Sequence, residues 1–63
     1  MKLNELLTYC EDLQDVEVVI HDEIICGKAN MLNGYLCKDA LYMNVQSIIA
    51  DDGAVKVWVG CNE

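Results

Sequence analysis

An Asp-Gly turn between two alternating apolar runs constrains this chain more than any other feature. Residues 45–59 read VQSIIADDGAVKVWV, two β-prone arms joined through Asp51, Asp52 and Gly53. Glycine reaches positive φ without a Cβ clash, and an aspartate before it tolerates the same tight turn, so the stretch predicts a β-hairpin. Two registers compete. With a two-residue Asp52-Gly53 loop, Ile48 and Ala50 share a face with Val55, Val57 and Val59. With a three-residue loop closed by a glycine bulge, Val45, Ser47 and Ile49 share it instead. In both, the valines line one face and Trp58 stands on the other with Lys56.

Upstream, residues 3–10 place Leu3, Leu6, Leu7 and Cys10 at i, i+3, i+4 and i+7, the stripe of a short amphipathic helix. Asn4 is the expected cap. Glu11 and Asp12 oppose the negative end of the helix dipole, so the helix should stop near Cys10, with Leu13 closing over its end. Too short to persist alone, it must lie on a sheet face. Residues 15–21, DVEVVIH, alternate with the period of a half-buried strand. An Asp22-Glu23 turn then leads into residues 24–28, and this loop sets Glu17 opposite Lys28. Gly27 inside that strand marks a bulge or a close approach of the helix.

Residues 29–39 are harder to read. Asn30 can cap a single turn through Met31 and Leu32, ended by Asn33-Gly34, and Tyr35-Leu36-Cys37 reads as a short edge strand or a loop on the core. Leu41, Tyr42 and Met43, within residues 40–44, begin a third strand that runs into the hairpin. The fold class is therefore α+β: one domain over residues 1–63, in the order α-β-β-β-β, with a short N-terminal helix on a four-stranded antiparallel sheet made of two hairpins.

A chain of 63 residues buries only about 60% of the surface its unfolded form exposes, so a staple or a partner subunit is expected. Its 54% hydrophobic composition excludes disorder despite a net charge of -7. Eleven acidic residues against four basic ones repel phosphate backbones, which disfavours direct nucleic-acid binding and suits partners with a basic surface. No signal peptide is evident, and the apolar runs fall far short of the ~20 residues a membrane span needs, so a cytoplasmic protein with no membrane association is expected.

In a reducing cytosol, Cys10, Cys26, Cys37 and Cys61 are expected as thiols, with Cys10 and Cys26 in the core. Whether Cys37 and Cys61 pair or bind metal stays open. No Cys-x-x-Cys pair is present and His21 lies outside zinc-ligand spacing, so neither metal nor cofactor is expected. His21 beside Asp22 and Glu23 reads as a solvated turn residue rather than a proton carrier, and no nucleophile accompanies it, so no enzyme is expected. Asp51-Asp52-Gly53 lacks the remaining ligands of a calcium loop. One helix cannot cover both sides of a sheet, which points to a homodimer through the uncovered side. The expected self-association residues are Tyr42, Ile48, Ile49 and Trp58.

Read whole, the chain resembles a group of small acidic proteins of bacteriophages and Firmicutes mobile elements. The features that carry the resemblance are Leu6-Leu7, Glu11-Asp12, the Val-rich residues 16–20, Gly27-Lys28, Ser47-Ile48, the turn at 51–53 and residues 55–59. The four cysteines and the Asn33-Gly34-Tyr35 connector depart from the pattern. The resemblance implies a phage or prophage setting in a bacterial host cytosol and carries over no catalytic residue. Together with the charge, it implies a non-enzymatic binding protein that interferes with a host defence protein through an acidic surface. The expected partner-binding residues are Glu17, Asp22, Glu23, Asp51, Asp52 and Trp58. Two alternatives stand beside it. One is a sponge for a small nucleotide signal held between subunits, with donors from Lys28, Lys38, Asn33 and the Gly34 backbone. The other is a structural module that only self-associates.

Overall fold

The two valine-rich segments lie side by side at the centre of a sheet in the computed structural model, which describes residues 1–60. The elements are α1 (Leu3–Tyr9), β1 (Asp15–Ile20), β2 (Glu23–Lys28), α2 (Ala29–Tyr35), α3 (Lys38–Leu41), β3 (Asn44–Asp51) and β4 (Ala54–Gly60). The strand order is β2-β1-β4-β3. Both hairpins are antiparallel, but β1 and β4 pair in parallel, so the sheet is mixed. The expected purely antiparallel sheet is corrected on this point. The reason is burial: β1 and β4 hold the four core valines Val16, Val18, Val57 and Val59. Central placement covers them on both flanks and leaves β2 and β3 as the edges. Because β2 and β3 then run in the same direction at opposite edges, the chain between them must cross the whole sheet.

That crossing is helical, contrary to the expectation of one turn followed by a strand or loop. Ala29, Leu32, Leu36 and Ala40 are buried in the same core as Leu3 and Leu7 of α1. Their burial overrides the breaking tendency of Asn33 and Gly34, both of which lie inside α2. The third strand accordingly starts at Asn44 rather than near Ala40, with Leu41 ending α3. Gly27 marks a close approach, but of α2 rather than of the N-terminal helix that was expected there. A Cβ there would lie 3.2 Å from Leu32 Cδ2 and 3.3 Å from Met31 Cε.

The N-terminal helix stops where its sequence predicts, with Cys10 already extended at φ -73°, ψ 153°. Its cap differs from expectation. Lys2 holds the N-cap position, and its backbone N–H donates to Glu5 Oε1 at 2.8 Å, the reach-back half of a capping box. Asn4 is inside the helix. Leu13 does not close over the helix end but is 73% exposed. Ahead of α1, Val45 N–H donates to Met1 O at 2.8 Å and Leu3 N–H to Met43 O at 2.9 Å, so the N-terminus pairs with the start of β3.

Both hairpin loops have two residues. In the β3–β4 loop Asp52 has φ 56° and Gly53 φ 80°, the left-handed pair of a type I′ turn. Ile48 and Ala50 therefore oppose Val57 and Val55. A register shift between Val45 and Ser47 brings Val45 opposite Val59 as well. The β1–β2 loop is His21-Asp22, one residue earlier than expected, and His21 takes φ 55°. Glu17 consequently faces Cys26, and it is Asp15 that faces Lys28. Lys28 Nζ and Asp15 Oδ1 approach to 2.5 Å.

Candidate functional site: the uncovered face of the sheet

Alternation fixes what each face carries. The side chains of Val16, Val18, Val57 and Val59 point to the helices. Their neighbours in sequence point the other way, where no element among the described residues covers them. The register arranges this second face in rows across the four strands. Ile24, Val19, Trp58 and Ser47 form one row. Cys26, Glu17, Lys56 and Ile49 form the next, and Lys28, Asp15, Ala54 and Asp51 the third. The first row is apolar across three strands, and the charged residues belong to the other two.

An open depression of about 470 Å³ lies on this face, lined by Glu17, Ile49, Asp51, Asp52, Ala54, Lys56 and Trp58. Its lining combines three carboxylates, Glu17, Asp51 and Asp52, with the apolar Ile49, Ala54 and Trp58 and the single cation of Lys56. Lys56 Nζ lies 5.3 Å from the centroid of the Trp58 ring, within the range of a cation–π contact. Gln14 braces the acidic end from the α1–β1 loop. Its Nε2 donates to Gly53 O at 2.7 Å and to Asp15 O at 3.0 Å, which fixes the tight turn that presents Asp51 and Asp52.

Of the expected partner-binding residues, Glu17, Asp51, Asp52 and Trp58 line this depression. Asp22 and Glu23 belong to the β1–β2 turn region, which the parallel pairing of β1 and β4 places at the other end of the sheet. The expected self-association residues do not share one surface. Ile49 and Trp58 are on the uncovered face, Ile48 is on the helix side, and Tyr42 follows α3 and is exposed. Ile24 and Val19, which extend the apolar row beyond Trp58, were not among the expected site residues. Their odd-even position relative to Val16 and Ile25 is the signal that marks them.

The remaining candidates are dispersed. His21 is an exposed turn residue. Lys28 is held by Asp15, while Asn33 and Gly34 lie in α2 and Lys38 in α3, away from the uncovered face. Cys10 packs against the core as expected, and burial pushes its thiol above the ordinary value of 9.0. Cys26 is instead exposed on the uncovered face, a correction to its expected core position, because its row faces away from the helices. Cys37 is also an exposed free thiol, and Cys61 lies outside the described residues. Among the described residues, no three His, Cys, Asp or Glu side chains gather as metal ligands, and no helix is long and apolar enough to cross a membrane. Comparison with protein-family models, curated proteins and solved structures finds no match for this chain.

Proposed function

We propose that the chain is a non-catalytic binding protein whose working surface is the uncovered sheet face, and that its partner there is a basic segment of another protein. The observation that supports this reading is the depression in which Glu17, Asp51 and Asp52 outnumber Lys56 beside the apolar Trp58, Ile49 and Ala54. A guanidinium or ammonium group on an apolar stem fits such a surface. The stem packs on Ile49, the cation stacks over the indole, and the carboxylates supply the opposite charge. The net charge of -7 steers a basic partner and repels a nucleic-acid backbone. In the phage or prophage setting implied by the resemblance, the partner is a host defence protein whose basic surface the chain occupies.

Calorimetric titration with an arginine-containing peptide and with a glutamate-containing peptide of the same length tests the reading. The arginine peptide binds, its affinity falls steeply as salt is raised, and the glutamate peptide does not bind. Equal affinity for both peptides, or no binding of either, overturns it.

A further inference from the structure

Ile48 and Ile49 are successive residues of the edge strand β3, so they point to opposite faces of the sheet, and they are 46% and 52% exposed. A partner docked on either face covers one of them and leaves the other in water. A strand added to the β3 edge extends both faces at once and flanks both side chains. The edge itself invites this, since an edge strand presents a row of unpaired backbone groups. Beyond the register shift at Gln46, residues 47–50, SIIA, hold no charge and no proline. The opposite edge, β2, has a charged residue at each end, Glu23 and Lys28, whereas β3 has one only at Asp51.

The limits of the free edge name the occupant. At one end Met1 already pairs with Val45, and at the other Asp51 brings a charge. In the stretch between them, Gln46 sits at the register shift, so the regular ladder begins at Ser47. Turned antiparallel against a second copy of itself about Ile48, this stretch sets Ile48 against Ile48 and Ser47 against Ile49. Each of these pairs lies on one face, and no like charges are opposed. We infer that the chain forms a two-fold homodimer by antiparallel pairing of β3 with β3 of a second copy, about a dyad at Ile48, giving one continuous eight-stranded sheet.

The helix-covered faces then lie together on one side, and the two uncovered faces form one surface on the other. With strands spaced about 4.8 Å apart, the two Trp58 positions stand roughly 15 Å from each other. The inference rests on the edge alone and does not depend on what binds the uncovered face.

Sedimentation equilibrium across a range of concentrations tests it. The wild-type chain sediments at twice its 7.1 kDa mass. Ile48→Lys shifts it to a single chain with an unchanged far-UV spectrum, whereas Trp58→Ala on the uncovered face leaves the dimer whole. Because Ile48→Lys carries the risk of misfolding, hydrogen exchange on the wild-type chain provides a second reading. Amides in residues 46–50 gain protection as concentration rises, and those of β2 do not. A wild-type mass of one chain at all concentrations contradicts the inference. So does dissociation by Trp58→Ala with the Ile48→Lys dimer intact, or a ladder of larger species, the sign of β3 pairing with the β2 edge of the next copy.

Discussion

Lys56 Nζ lies 5.3 Å from the centre of the Trp58 ring on the uncovered side of the sheet. The only tryptophan of the chain is thus already attended by a cation of its own subunit. An exposed contact of this kind contributes about 0.5–1 kcal/mol, so a basic partner must displace Lys56 to stack on the indole. Lys56→Ala removes the competitor and one positive charge from the depression. Affinity for an arginine-containing peptide should rise several-fold in calorimetric titration, with little change in thermal stability. A fall in affinity would show that Lys56 belongs to the recognition surface instead.

The two glycines near α2 should respond in opposite directions. At Gly27 an added side chain meets Leu32 and Met31, so Gly27→Val wedges α2 away from the sheet and should cost about 1–3 kcal/mol. Gly34 lies within α2 with open space around it. Gly34→Ala should therefore stabilise the fold by up to about 0.5–1 kcal/mol, as removal of a helical glycine does. Urea denaturation of the two variants beside the wild type measures both effects.

Turn chemistry gives a third expectation. Asp52 holds φ 56° in the loop that presents two of the carboxylates lining the depression. Asn tolerates that region, while a β-branched residue does not. Asp52→Asn should keep the stability of the wild type, and Asp52→Val should lose about 1–2 kcal/mol, measured by chemical denaturation.

Cys10 makes the fold sensitive to alkaline pH. Burial raises its thiol above the ordinary value of 9.0, so above that value the unfolded chain releases a proton that the folded chain retains. The contribution to stability is complete below pH 9.0 and is lost as pH rises through the higher folded value. The alkaline limb of a stability-versus-pH curve should flatten in Cys10→Ala. In the wild type, a thiol reagent should modify the exposed Cys26 and Cys37 before Cys10.

Local chemistry made much of this fold legible. The Asp-Gly signal located the β3–β4 turn, the helical stripe of Leu3, Leu6, Leu7 and Cys10 located α1, and alternation alone placed Trp58 and Lys56 opposite the valines. The choice between Ile48 and Ile49 as the face-mate of Trp58 turned on one residue of loop length, which composition does not decide. Parallel pairing of β1 with β4 is a contact between segments nearly forty positions apart, selected by burial of the valine-rich strands at the centre. Of the helices of residues 29–41 only one turn at Met31 and Leu32 was legible, because Asn33 and Gly34 are breakers locally, and the docking of Leu32 and Leu36 that outweighs them is tertiary. The same long-range choice separated Asp22 and Glu23 from the depression that Glu17, Asp51 and Asp52 line.

The most direct measurement of the uncovered face as a working surface is the fluorescence of Trp58 during titration with an arginine-containing peptide. A saturable change in intensity and emission maximum, weakened by salt and abolished when Glu17→Gln, Asp51→Asn and Asp52→Asn are combined, is the predicted result. An emission that stays constant while the peptide binds, or a change that survives neutralisation of all three carboxylates, contradicts the account.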